Sequence, residues 1–313
     1  IHTGVEHRLD PGFDAADAIR TAQPDLVGIS LHWHHQLAPV SALLEGLAGQ
    51  ARNPPVVLGG MTASAFAEEL LAAWQAATFV IRGEADGPLI ELADALERRG
   101  PDRPDLAGIP NLSWRDGREV RSNPLTFIAD SERLDGIRFC RRDLVRHGER
   151  YNAQFGEQRG GFTHAPVFYL TIGRGCSVDC AFCSGGSSGH RRFAGREGVV
   201  FRSPGAVIED MRQAIEAGHQ TLCVCFDPPP RSEVYQIDLF DQVRRAGLRP
   251  AMVFECYRPP SEAFLEAFAR TFEPNGSRLS FSPTVEDEGL RRELLGSPYS
   301  NRRMEEALAA CRV

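Results

Sequence analysis

Three cysteines fall in one short stretch, Cys176-Ser177-Val178-Asp179-Cys180-Ala181-Phe182-Cys183, at Cys-x3-Cys-x2-Cys spacing. An apolar run, Pro166-Val167-Phe168-Tyr169-Leu170-Thr171-Ile172, and a Gly-Arg-Gly turn at Gly173 to Gly175 lead into them. A buried strand ending in a loop of three thiolates is a cradle for an iron–sulfur cluster. Three thiolates on a four-iron cluster leave one iron open, free to chelate a small molecule through amino and carboxylate groups. Zinc competes for the same donors. A structural zinc site needs four ligands, and no second cysteine pair lies close by, although His190 offers a fourth.

The other cysteines carry less. Cys223, Cys225 and Cys256 lie in or beside predicted strands. The two-residue strand period puts Cys223 and Cys225 on one face, and all three read as buried packing thiols. Cys140 stands alone and is assigned no role.

Composition bounds the rest. The chain has 313 residues and a formal net charge of −7, which argues against a broad nucleic-acid surface. No apolar run reaches the ~18 residues that span a bilayer. There is no charged-then-apolar leader at the start. Eight clustered, unpaired-looking cysteines in a chain of this size favour metal binding over a disulfide framework, and a cytoplasmic location is expected. The chain opens on Ile1 and not Met, and is expected to be a fragment at both ends.

The elements that position these residues alternate. In the first part, Asp14 to Ala22 reads as a helix and Asp25 to Ser30 as a strand ending in Leu31-His32-Trp33-His34-His35. Helix Pro39 to Ala51, strand Pro55 to Leu58, helix Ser64 to Gln75, strand Ala77 to Ile81 and helix Gly87 to Arg98 follow. Such alternation implies a doubly wound parallel sheet, with ligands beyond the strands' carboxyl ends. Pro110 to Val120 reads as a hairpin turning at Asp116-Gly117. Residues 128 to 161 are charged and read as a solvated linker with one short helix.

After the cysteines, Ser184 to Gly189 is flexible and polar, and Ser203-Pro204 opens a helix over Val207 to Ala217. Strands Thr221 to Phe226, Pro250 to Phe254 and Arg278 to Phe281 alternate with helices Glu233 to Ala246, Pro260 to Phe272 and Arg302 to Ala310. Four strand–helix units in series build a barrel or an open parallel sheet.

The strand, the cysteine spacing and Phe182 before the last cysteine resemble the radical S-adenosylmethionine superfamily. The strand ends Val27 to Ser30, Val57 to Thr62 and Ile81 to Glu84, with Pro88-Leu89 following, resemble the cobalamin-binding domain that precedes many of these enzymes. The resemblance implies an α/β chain: a Rossmann-like cobalamin-binding domain over 1–125, a linker over 126–165, and the first four units of a partial (β/α)6 barrel over 166–313. It implies that Cys176, Cys180 and Cys183 ligate a [4Fe–4S] cluster whose open iron binds S-adenosylmethionine. Phe182 would lie near the adenine, Asp227 would accept from the methionine amine, and Ser282 and Thr284 would flank the ribose. Glu255 and Arg258 would face the barrel mouth. Ser30, Gly59, Gly60 and Thr62 would line the slot for cobalamin's nucleotide tail, with Gly83 and Glu84 at its rim.

The chain departs from the pattern in three places. Asp-x-His-x-x-Gly, whose histidine ligates cobalt in some relatives, is absent, and so is the usual Gly-Gly-Glu after the second barrel strand. Thr284 stands where relatives often carry a carboxylate.

The implied activity is cleavage of S-adenosylmethionine to a 5′-deoxyadenosyl radical, with methyl transfer from cobalamin to an unactivated carbon. A small-molecule or peptide substrate and a reductant such as flavodoxin or ferredoxin are expected, with no nucleic-acid or membrane partner. A radical oxidoreductase or cyclase of the same architecture and a non-catalytic cofactor-binding module are the alternatives.

Overall fold

Two sheets, each built around parallel strands, bring the loops of interest to their carboxyl edges. The computed structural model describes residues 1–48, 53–99, 105–150, 167–226, 230–295 and 299–311.

In the first sheet β1 (Val27–Ser30), β2 (Val56–Gly59) and β3 (Phe79–Ile81) are parallel and adjacent. The hairpin β4 (Leu112–Asp116) and β5 (Glu119–Ser122) joins antiparallel at the β3 edge, with Phe79 opposite Trp114. Helices α1 (Thr3–Leu9), α2 (Ala15–Ala22), α3 (Leu37–Leu47), α4 (Met61–Ala65), α5 (Ala67–Ala73) and α6 (Pro88–Arg99) surround it. Strand alternation divides the core. Val56, Leu58 and Val80 pack with Val40 and Leu44 of α3 and Leu70 and Leu71 of α5. Val57, Phe79 and Ile81 face the other way, onto Leu92 and Ala95 of α6. Helices on both faces are what the doubly wound expectation requires.

Two local differences affect this half. The opening residues, to which the sequence pattern assigns no element, form α1, which buries Val5 and Glu6. The helix expected from Ser64 begins at Met61 and breaks at Phe66, giving α4 and α5. Gly60, at φ 107°, turns the chain straight from β2 into α4.

The second sheet has the order β11-β10-β9-β6, parallel throughout: β6 (Val167–Tyr169), β9 (Thr221–Val224), β10 (Ala251–Cys256) and β11 (Arg278–Phe281). Its helices are α8 (Ser187–Ala194), α9 (Pro204–Glu216), α10 (Pro230–Arg245), α11 (Glu262–Thr271), α12 (Glu288–Leu295) and α13 (Asn301–Ala310). Ser203 caps α9, with Pro204 in its first turn. Leu222, Val224, Met252, Phe254 and Cys256 point at the helices. There Phe240 meets the rings of Phe254, Phe264, Phe268 and Phe272 at 5.0–6.1 Å. The alternate residues, Cys223, Val253 and Glu255 among them, face the sheet's other, concave side.

The stretch Gly173–Gly175, expected as a turn, is a strand, β7. It pairs antiparallel with β8 (Val199–Phe201) and so closes the base of the cysteine loop. The polar run after Cys183 is expected to be flexible, yet from Ser187 on it forms α8. The charged connector is not a solvated linker over its described part. Ala129 and Leu134 are fully buried, and α7 (Ser131–Asp135) is its one α-helix among the described residues. Arg142 bonds the Ala217 carbonyl, Asp135 accepts from the Ser203 amide at 3.0 Å, and Glu6 of α1 pairs with Arg146 and His147. No described helix is long and apolar enough to cross a membrane.

Candidate functional site

The cysteine loop hangs between the β7–β8 pair and the carboxyl end of the barrel sheet. None of the eight cysteines is in a disulfide. Cys176 and Cys180 are half-buried and Cys183 is exposed. Backbone bonds fix the loop: the Cys183 amide donates to the Cys180 carbonyl at 3.0 Å, and the Ser187 amide to Val178 at 2.8 Å. Helix α12, which the sequence pattern did not reveal, supports it from outside. The Leu294 carbonyl accepts from the Ala181 amide at 2.8 Å, and the Leu295 carbonyl from Arg258 at 3.0 Å. Burial pushes the Cys176 thiol up, Cys180 and Cys183 add to this, and nearby Arg258 opposes it. Arg258, expected at the barrel mouth, is thus buried beside the loop.

The donor set tests which group fits. A single tetrahedral zinc, with Zn–S of about 2.3 Å, holds its sulfurs about 3.8 Å apart. The three loop sulfurs are not gathered within 4.8 Å of one another. His190, the candidate fourth zinc ligand, lies on α8, and burial and Arg196 favour its neutral form, the form that binds metal. Three soft, partly open thiols that are not gathered on one point are a donor set that a cluster can use.

The remaining expected S-adenosylmethionine contacts lie on separate elements. Phe182 is 62% exposed on the loop. The Ser282 amide donates to the Cys256 carbonyl at 3.0 Å, just beyond β11, and its side chain is exposed. Thr284 is exposed and left-handed, at φ 63°. Asp227 lies outside the described residues. Cys225 is exposed rather than buried, because β9 ends at Val224. Its sulfur is 3.8 Å from that of Cys223, near Glu255. Cys223 and Cys256 are buried as expected, and Cys140 packs against the barrel core.

At the first sheet, Ser30 and Gly59 are register partners at the carboxyl edge. Nothing lies within 4 Å of where a Cβ on Gly28 or Gly59 would sit, so backbone lies bare to a flat ligand there. Gly28 is an addition that a strand-end reading of the sequence passed over. A groove lined by Gly28, Ser30, Leu26 and Pro39 follows the free edge of β1. Gly60 and Thr62 have inward roles. A Cβ on Gly60 would sit 2.8 Å from the Leu31 carbonyl, and the Thr62 hydroxyl donates to the His32 carbonyl at 2.9 Å. Together they pin the loop carrying His32, Trp33, His34 and His35, all exposed. Trp33 is 59% exposed.

Gly83 and Glu84 join the two halves. A Cβ on Gly83 would lie 2.7 Å from Cα of Ala194, at the end of α8. The buried Glu84 carboxylate accepts from Arg196, from Arg174 at 3.1 Å and from the Ala129 amide at 2.9 Å. Arg174 lies on β7, just before Cys176, and also pairs with Asp86. Arg196 follows α8. Both flanks of the cysteine loop are therefore bonded to one carboxylate of the first domain. Glu84 was expected at a cofactor rim, and its side chain serves this junction.

Residues 4–93 match the family model described as "B12 binding domain". This segment is a B12-binding-type domain. The chain as a whole is similar in fold to the radical S-adenosylmethionine methyltransferase TsrM from Kitasatospora setae. One TsrM structure holds cobalamin and a [4Fe-4S] cluster, with a TM-score of 0.68, 18% identity, and coverage of 97% of this chain and 57% of that one. Another holds tryptophan substrate and the SAM analog aza-SAM, with the same TM-score and identity, covering 97% and 58%. The chain thus spans less than two thirds of the length of the solved protein it matches. No curated protein matches it in sequence.

Proposed function

We propose that the chain belongs to a cobalamin-dependent radical S-adenosylmethionine enzyme, a methyltransferase acting on an unactivated carbon. The supporting observation is the junction at Glu84, which fastens the cysteine loop to the loop after β3 of a B12-binding-type domain. Cofactors held by the two halves would meet across one opening.

Cys176, Cys180 and Cys183 would hold a [4Fe–4S] cluster through three thiolates. The open trough at Gly28, Ser30 and Gly59 would take cobalamin's nucleotide tail through backbone, and the exposed Trp33 would cover its edge. When bound, these groups supply one-electron cleavage of S-adenosylmethionine and a methyl carrier. The chain's own part is positioning. Arg174, Arg196 and Glu84 hold the loop against the domain, and α12 shields its outer side. Phe182, Ser282 and Thr284 remain open to S-adenosylmethionine. A small electron-transfer protein of the flavodoxin or ferredoxin type and a small-molecule or peptide substrate complete this reading.

Anaerobic reconstitution with iron and sulfide tests it. The intact chain is expected to take up about four irons, and Cys176→Ala, Cys180→Ala or Cys183→Ala to lose most of the visible charge-transfer absorbance. A triple variant that kept the same cluster would overturn the ligand assignment. Hydroxocobalamin should co-elute with the intact chain. Failure to retain any corrinoid would remove methyl transfer, and a product with hydrogen loss instead of methyl gain would favour the oxidoreductase.

A further inference from the structure

The concave face of the barrel sheet carries a second donor set, which neither the cysteine loop nor the B12-binding-type domain uses. Cys223 lies on β9 and Cys225 just beyond it, on the same side of the strand. In the parallel register Val253 of β10 is opposite Cys223, which brings Glu255 level with Cys225. The two sulfurs are 3.8 Å apart. With one Glu255 oxygen, all three donor atoms lie within 4.8 Å of one another. Among the described residues, no other trio of Cys, His, Asp or Glu side chains meets that spacing.

This geometry suits one particular occupant. Two thiolates on a tetrahedral zinc stand about 3.8 Å apart, the separation already present. Thiolates turn away magnesium and calcium, which take oxygen ligands, and a mixed sulfur–oxygen set suits a borderline-soft ion. A disulfide is the competing fate of close cysteines. Same-face residues two apart on a strand are separated by about 6.6 Å, close to the upper limit of bridged Cα atoms. Cys225 is exposed and Glu255 half-buried, so an ion has a way in. The Tyr257 hydroxyl donates to Glu255 at 3.2 Å, as outer partners of metal-binding carboxylates do.

We propose that Cys223, Cys225 and Glu255 form a second metal site, which binds one zinc ion and leaves its fourth position open to the concave face of the barrel. That position accepts water or a nitrogen, oxygen or sulfur donor of a bound molecule. The site is a property of β9 and β10 and stands whatever the Cys176–Cys183 loop holds.

The experiment uses the full chain carrying Cys176→Ala, Cys180→Ala and Cys183→Ala, which silences the loop thiols. The protein is stripped with chelator under reducing anaerobic conditions and titrated with zinc against a chromophoric competitor. One equivalent is expected to bind. Cobalt in its place should give the near-ultraviolet sulfur charge-transfer band and the visible bands of a tetrahedral site. Adding Cys223→Ser and Cys225→Ser should abolish both. Tyr257→Phe should weaken binding about tenfold. If the serine variants unfold, Glu255→Gln decides instead, since that change on a half-buried side chain should spare the fold and weaken binding. No stoichiometric zinc, or binding unchanged by the serine or Glu255→Gln substitutions, overturns the proposal.

Discussion

Gly83 combines two constraints at one residue. Its φ of 69° lies in the left-handed region, and a Cβ would press on the Ala194 backbone. Gly83→Ala is therefore expected to destabilise the chain by about 1–3 kcal/mol, and a urea midpoint for the variant equal to that of the parent would refute the close approach. At this scale the sequence disclosed some roles and hid others. The cysteine loop was legible because thiol type and spacing are themselves the chemistry. The junction role of Glu84 was not, because its partners Arg174 and Arg196 lie 90 and 112 positions away. Cys225 was misread because its exposure depends on β9 ending at Val224, two residues short of the expected Phe226. Gly28 was passed over because a glycine inside a strand marks a trough only once the sheet edge beside it is found to be open.

Among the elements, the strand–helix alternation was the legible part, since apolar runs and amphipathic stretches are local. β7 escaped because two of its three residues are glycines, whose value there is that Gly173 can approach Val200 and Gly175 can approach Gly198. α12 escaped because it is short and opens on Glu288-Gly289, with only Leu290, Leu294 and Leu295 as apolar positions. It is held by buried Arg291, which donates to the carbonyls of Val285 and Tyr299 and to Asn301. The junction between β7 and the loop after β3 has a pH signature. Burial works to raise the Asp86 carboxyl, but its bond to Arg174 and that residue's charge outweigh burial and hold it below the usual carboxylate range. The unfolded carboxyl titrates near about 3.9. The stabilisation is thus complete about one pH unit above that value, and is lost as the pH falls from there through the lower folded value. Wild-type urea midpoints should fall more steeply than those of Asp86→Asn between about pH 4 and pH 3. Parallel curves would show that the pair contributes nothing to folding.

For the whole molecule, the question is whether the two halves unfold as one. Their contact rests on the buried Glu84 carboxylate with its two arginines, on the Gly83–Ala194 approach, and on the connector, which bonds Glu6 on one side and Ala217 and Ser203 on the other. Removing one partner from a buried ion pair costs about 3–5 kcal/mol, because the charges left behind lose their compensation. That is of the order of the stability difference that keeps two domains cooperative. The chain carries its own probes for the test. All three tryptophans, Trp33, Trp74 and Trp114, lie in the first half, and the fully buried Cys256 lies in the second. On heating, tryptophan fluorescence and thiol labelling of Cys256, in a background with the other seven cysteines changed to serine, should report one transition in the parent. In Glu84→Ala the two should separate by several degrees, since about 1 kcal/mol moves a domain of this size by about 2–4 °C. Coincident transitions in both proteins would mean that the remaining contacts, the Gly83–Ala194 approach, the Arg174–Asp86 pair and the connector, couple the halves without Glu84. Separate transitions in the parent would mean that the Glu84 junction orients the cysteine loop without stabilising it.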